Sequence, residues 1–379
     1  MMKTRVMVVD DSATVRRLVS EVLEATPDFE VSASAPNGRI ALAKVERSKP
    51  DIITLDVEMP EMDGLETLRE LRLRAPSVPV LMFSNVTGRG AVATLEALTM
   101  GAADYVQKPS IPNNGTGARD AVAAELLPKL RALAPKVKVR TPSTMRAPDG
   151  GNSARALPFP SVAAPPRLSV PPMASILGLA SDIEILAIGA STGGPAAVQS
   201  LLASLPGSLT VPIVVAQHMP PVFTRLFAER LAATTPFAVM EAQHGAPLLP
   251  GRCYVAPGDY HMTVTRQAGR AHVSINQDPP EHSCRPAVDP LFRSVAETFG
   301  RHALAVVLTG MGYDGMRGAS LVREAGGRVL AQDEATSVVW GMPGAVARAG
   351  VAEAVLPLGE IGPAVTRIVD GERAKGRVQ

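Results

Sequence analysis

Cysteine is almost missing from this chain of 379 residues: Cys253 and Cys284 are the only two, too few for a disulfide framework of the secreted kind. Aromatic residues are scarce as well, at 3% of the chain, so a surface on which bases could stack is hard to build. The net charge of +2 supplies no strong field for a phosphate backbone, and nucleic acid is not expected as a partner. Long apolar runs are absent. Even AVVLTGM is interrupted by Thr309 and Gly310, well short of the roughly 18 residues a bilayer span requires, which excludes membrane insertion. The start, MMKTRVMVVDD, meets two aspartates before a signal-peptide core can develop, and a cytoplasmic location is expected.

Hydrophobic residues at 46% and charged residues at 20% give the balance of a soluble globular chain, and the length suits two or three domains. From Arg5 to about Leu133, short β-branched runs (RVMVVD, FEVSASA, IITLDV, VPVLMFS, ADYVQKP) alternate with amphipathic stretches such as ATVRRLVSEVLEA. That alternation predicts about five βα units and a parallel sheet with helices on both faces. Between Pro135 and Pro172 the composition shifts to nine prolines, six basic residues and one acid, Asp149, which reads as an extended, solvated tether. A second βα series starts near Ile183 with IEILAIGA, VPIVVAQHM and HALAVVLTG as strands, again mostly parallel. The stretch RCYVAPGDYHMTVTRQAGRAHVSI alternates around turn residues and predicts a hairpin-like insertion.

Open α/β sheets gather functional groups at the carboxyl ends of their strands. In the first series Asp10 and Asp11 follow RVMVV, Asp56 follows IITL, Ser84 follows VPVLMF and Lys108 follows ADYVQ. Three converging carboxylates repel one another unless a hard divalent cation such as Mg²⁺ neutralises them, and one of them can then serve as a nucleophile. Over about the first 130 residues this pattern resembles the receiver domain of two-component response regulators. The resemblance implies that Asp56 accepts a phosphoryl group, that Asp10, Asp11 and Asp56 hold Mg²⁺, and that Lys108 pairs with the phosphate. It further implies that Ser84 hydrogen-bonds the phosphate and that Tyr105 changes rotamer with it. Gly64, and Pro109 behind an expected cis peptide bond, fit the same pattern.

All six histidines, His218, His244, His261, His272, His282 and His302, lie beyond the tether. Gly189-Ala190-Ser191-Thr192-Gly193-Gly194-Pro195 follows a strand and opens a helix, a sharp turn that presents Ser191 as a nucleophile. The same glycine-rich turn could cradle a dinucleotide, but that reading needs an acid at the end of the next strand, where Gln217 and His218 stand. His218 suits a general base. Asp314, in the loop Met311-Gly312-Tyr313-Asp314-Gly315 read as flexible, suits the group that orients the imidazole. Cys284 beside Arg285 is a second candidate nucleophile, set aside because no base is evident for it.

The order Ser, His, Asp departs from that of α/β-hydrolases, although Gly189-x-Ser191-x-Gly193 matches their elbow. GASTGG, QHMP and TGMGYDG together resemble the catalytic domain of the chemotaxis protein-glutamate methylesterases, over about Asp182 to Val369. The resemblance implies an α/β chain of two doubly wound parallel-sheet domains: a flavodoxin-like receiver over 1–134, a Pro-rich linker over 135–180 and a methylesterase domain over 181–379. It implies attack by Ser191 on glutamyl methyl esters of methyl-accepting chemoreceptors with release of methanol, and deamidation of some receptor glutamines. His218 would be the base and Asp314 its support, with Met311 and Thr192 around the oxyanion. No cofactor is expected in the catalytic domain, and a chemotaxis histidine kinase is the expected phosphoryl donor. Tyr313 stands where the family commonly has Asn, and Cys284 where it often has His. The receiver is expected to inhibit the second domain until Asp56 is phosphorylated. A rival reading is a scaffold that binds receptors without turnover.

Overall fold

A computed structural model describes residues 3–85, 88–108, 116–134 and 183–370. The expected tether over 135–180 and the Pro109 peptide bond lie outside these residues.

The amino-terminal elements run β1 (Thr4–Val9), α1 (Ala13–Glu24), β2 (Phe29–Ala35), α2 (Gly38–Ser48), β3 (Ile52–Asp56), α3 (Gly64–Arg74), β4 (Val80–Ser84), α4 (Gly88–Thr99), β5 (Asp104–Gln107) and α5 (Thr116–Leu133). The five strands form one parallel sheet in the order β2-β1-β3-β4-β5. IITLD and VLMFS are buried at every residue, which requires helices on both faces and fits their mainly apolar character. The helices begin on local signals: the Ser12 hydroxyl accepts from the Val15 amide at α1, and Asp63 and Glu66 form a reciprocal capping box at α3. Gly64 opens α3 against the loop after β3, where a Cβ would stand 2.2 Å from the carbonyl oxygen of Asp56.

The carboxy-terminal elements are β6 (Ile185–Ala190), α6 (Gly194–Ser204), β7 (Ile213–Gln217), α7 (Phe223–Thr234), β8 (Ala238–Glu241), β9 (Arg252–Val255), β10 (His261–Gln267), β11 (Arg270–Asn276), α8 (Val288–Phe299), β12 (Ala303–Val307), α9 (Met316–Glu324), β13 (Arg328–Gln332), α10 (Met342–Arg348), β14 (Ala354–Leu356) and α11 (Leu358–Asp370). Seven of these strands make a parallel sheet in the order β14-β13-β12-β6-β7-β9-β8. The expected hairpin is smaller than its sequence suggested. Only β10 and β11 pair as an antiparallel ribbon, whereas Arg252–Val255 joins the main sheet between β7 and β8. Cys253, Tyr254 and Val255 are all buried, so this run is apolar on both faces, as a central parallel strand must be.

The two sheets share one boundary. Helix α4 packs on α6 and α7, and a single apolar cluster runs from Leu95, Leu98 and Tyr105 to Val198, Phe223 and Phe227. The Tyr105 ring stacks on that of Phe223, centroids 4.8 Å apart and planes 15° from parallel. The Gly193 amide donates to the carbonyl of Ala103 at 2.9 Å.

Candidate active site and phosphoacceptor site

The chain leaves β6 toward β7 on one side and later returns to β12 on the other, so β6 lies at the switch point where a crevice opens above the strand ends. Ser191 leaves β6 there, His218 leaves β7, and the loop after β12 carries Asp314. The Ser191 turn is held by its neighbours: the Ser191 amide donates to the Thr309 carbonyl at 3.0 Å, and the Gln217 side-chain amide donates to the Ser191 carbonyl at 3.0 Å. Gly193 adopts φ +76°, and a Cβ on it would meet the Val338 side chain at 2.6 Å, so the turn admits only glycine without strain.

His218 Nδ1 lies 3.1 Å from Ser191 Oγ, and its Nε2 lies 2.7 Å from Asp314 Oδ2. The ring nitrogens are used in the opposite sense to chymotrypsin-type triads, in which Nδ1 faces the aspartate. Asp314 is buried, and its flexible-turn reading is corrected by what holds it. Its Oδ2 accepts from the Val288 amide at 2.7 Å, and its Oδ1 accepts from the amides of Asp289 at 2.9 Å and Gly315 at 2.8 Å. Val288 and Asp289 begin α8, whose terminal N–H groups favour an anion. Burial alone would raise the Asp314 carboxyl, but His218 and these amides outweigh it and hold it below the usual carboxylate range. Burial likewise pushes the His218 imidazole down, and Asp314 and Cys284 outweigh that and bring it up to about 10.

At the strand ends of the first sheet, Lys108 Nζ lies 2.8 Å from Asp10 Oδ2 and 2.7 Å from Asp56 Oδ2. Oxygens of Asp10, Asp11 and Asp56 lie within 4.8 Å of one another. Three carboxylates against one ammonium form a hard, anionic donor set whose chemistry fits a small divalent cation. Burial pushes the Asp56 carboxyl up to about 6, with Lys108 pulling down and Asp10 adding repulsion. Ser84 is buried with its Oγ 2.7 Å from the hydroxyl of Thr94 on α4. Tyr105 is buried against Phe223, where burial first, then Asp104 and Glu125, raise its phenol.

A cleft of about 450 Å³ opens over the triad, and both halves of the chain line it: Asp104, Tyr105 and Lys129 from the first, Ser191, Thr192 and His218 among those from the second. Thr192 Oγ1 donates to Asp104 Oδ2 at 2.5 Å. Met311 is exposed and lines the same cleft, so both residues expected near the oxyanion border the cleft that Ser191 lines.

The reading of Cys284 as lacking a base is overturned, because its Sγ lies 3.4 Å from His218 Nδ1. The segment that carries it turns back over the crevice through two left-handed residues, His282 and Ser283, and no periodicity announces that path. His282 stands in the same segment. Its Nε2 lies 2.8 Å from Asp289 Oδ2 and 3.8 Å from Asp314 Oδ1, with the Tyr313 ring edge-on at 4.8 Å. Gln217 was used only to argue against a dinucleotide, yet it anchors the Ser191 turn.

Fold and site together define a response regulator whose second sheet carries a serine-histidine-aspartate arrangement of hydrolase type. Comparison with known proteins agrees. A family model described as CheB methylesterase matches residues 186–365, and one described as response regulator receiver domain matches residues 6–118. A protein-glutamate methylesterase/protein-glutamine glutaminase from a Nocardioides species is 50% identical over 370 residues, covering 97% of this chain and 96% of its own. One from Azospirillum brasilense is 46% identical over 96% of this chain and 92% of its own. The crystal structure of the Thermotoga maritima CheB methylesterase catalytic domain is 41% identical, with a TM-score of 0.49, over 49% of this chain and 99% of that one. The chain belongs to the protein-glutamate methylesterase/protein-glutamine glutaminase family. Among the described residues, no helix is long and apolar enough to cross a membrane.

Proposed function

We propose that the protein is a receiver-controlled serine hydrolase that removes methyl groups from glutamyl esters of chemoreceptors, releasing methanol, and deamidates receptor glutamines. The observation that carries this reading is the continuous contact from Ser191 Oγ through His218 to buried Asp314 at adjacent strand ends. Ser191 attacks the ester carbonyl as its proton passes to His218 Nδ1, while the Nε2–H stays on Asp314, which offsets the charge the ring acquires. His218 returns the proton to the departing methoxide, and water then hydrolyses the acyl-serine by the same route. Thr192 and the Met311 amide border the place where the oxyanion forms, and donors aimed there contribute several kcal/mol in such sites.

Control is assigned to the first sheet. Asp56 is the phosphoacceptor, and Asp10, Asp11 and Asp56 would hold Mg²⁺, which when bound supplies charge neutralisation for the incoming phosphoryl group. Lys108 and Ser84 would receive the phosphate oxygens. At rest the receiver covers the catalytic cleft: Asp104 holds the Thr192 hydroxyl, and Tyr105 is wedged on Phe223. Movement of Ser84 toward a phosphate would release Thr94 on α4, the helix that packs on α6 and α7. The donor is a chemotaxis histidine kinase, the substrates are methyl-accepting receptors, and the protein works in the cytoplasm. Methanol release from methylated receptor membranes, compared between the wild type and Ser191→Ala, tests the assignment. Equal release would remove Ser191 from the mechanism.

A further inference from the structure

The Nε2–H of His218 is committed to Asp314, so the neutral ring offers one lone pair, at Nδ1. Two side chains approach that nitrogen: the Ser191 hydroxyl at 3.1 Å and the Cys284 thiol at 3.4 Å. We propose that Cys284 is a positioning residue that decides when His218 can act as a base, its thiol competing with the Ser191 hydroxyl for the same lone pair. The proposal deepens the esterase reading above and rests on it.

A thiol releases its proton far more readily than an alcohol, with an ordinary pKa of about 8.5. When the proton moves from Sγ to Nδ1, the S–H bond breaks, an N–H bond forms, and a thiolate faces an imidazolium. No atom leaves the site. The ring in that state has no lone pair for Ser191, and Asp314 on its far side stabilises the cation. The geometry therefore makes Cys284 a brake on the base, released as the ring gives up its proton. The elevation of the imidazole agrees, since Asp314 and Cys284 together overcome burial. Among the described residues, no other charged group touches the ring. Asp104 and Lys129 line the cleft from the receiver, but Asp104 is engaged by Thr192, and Lys129 lies 3.5 Å from Asp104 and 3.6 Å from Glu125. His282 faces Asp289 and Asp314.

The test is the pH profile of kcat/KM for the full-length, phosphoryl-donor-treated protein, as wild type, Cys284→Ser and Cys284→Ala. Neither replacement can form the ion pair, and serine preserves the shape. In both, the acid limb is expected to move down by about one pH unit, a roughly tenfold faster rate at a fixed pH on that limb. A second readout does not depend on turnover. In a Ser191→Ala protein, alkylation of Cys284 by iodoacetamide at neutral pH is expected to slow about tenfold when His218→Gln removes the ring's capacity to hold the proton. Cys253 does not interfere, being buried with its thiol raised by that burial. Profiles of both variants that superimpose on the wild type, or alkylation indifferent to His218, would overturn the proposal. Turnover that survives Ser191→Ala would instead overturn the esterase reading, and the alkylation experiment would still decide whether Cys284 and His218 share a proton.

Discussion

The hydroxyl of Thr192, next to the nucleophile, donates to Asp104 of the receiver sheet at 2.5 Å. Asp104 is also fixed from its own side, accepting from the Tyr105 amide at 2.8 Å, with Lys129 Nζ at 3.5 Å. A receiver carboxyl group therefore holds the hydroxyl proposed to border the oxyanion, and the cleft over Ser191 is covered by a specific contact as well as by bulk.

Removing that contact should loosen the cover without touching Ser191. Asp104→Ala is expected to raise resting methanol release roughly three- to tenfold, the equivalent of one hydrogen bond worth about 0.7–1.4 kcal/mol. Initial rates without a phosphoryl donor measure it. An unchanged resting rate would mean that Asp104 does not restrain the site.

Within the triad, losses should be large and not additive, since the three residues act as one unit. Ser191→Ala and His218→Ala are each expected to lower kcat by about 10³-fold or more, and the double variant little further. Asp314→Ala should differ in one respect. It removes the acceptor of the Val288, Asp289 and Gly315 amides, so a loss of about 2 kcal/mol or more in urea unfolding should accompany its loss of activity, whereas Ser191→Ala should stay near wild type.

Phosphoryl transfer should depend on Asp56 and on a divalent cation. Asp56→Asn is expected to abolish labelling by a phosphoryl donor, and a chelator should do the same to the wild type. Undiminished labelling of Asp56→Asn would place the acceptor elsewhere, and undiminished labelling in chelator would remove the cation from the reaction.

The raised His218 imidazole links activity and stability in opposite senses. A histidine raised from about 6.5 to about 10 contributes stability that is fully present below the lower value and lost as pH climbs through the upper one. Over the same interval the ring becomes the neutral base that attack requires. Esterase rate should therefore rise from neutral pH toward pH 10 while the urea midpoint of the catalytic sheet falls, and the falling component should vanish in His218→Gln.

What sequence made legible follows from how local the signals are. Runs such as IITLD and ILAIGA are short, predominantly apolar and flanked by turn residues, so the strands, and with them Asp56 and Ser191 at their ends, could be found by inspection. His218 and Asp314 followed from the rule that strand ends gather function. Arg252–Val255 was misjudged because three apolar residues behind an arginine, beside a hairpin, have no period of their own. Cys284 and His282 lie on a path set by two left-handed residues, and their meeting with His218 and Asp314 exists only after folding. The contact between Asp104 and Thr192 is further from local signals still, since it depends on how α4 seats against α6 and α7.

The central claim is that one serine hydrolase is switched by one aspartate on a separate sheet. Methanol release from methylated receptor membranes, followed with and without a small-molecule phosphoryl donor and Mg²⁺ for the wild type, Asp56→Asn and Ser191→Ala, tests it most directly. The account predicts a low resting rate that rises with the donor in the wild type, a low rate indifferent to the donor in Asp56→Asn, and none above background in Ser191→Ala. A wild-type rate that ignores the donor, or methanol released by Ser191→Ala, would contradict it.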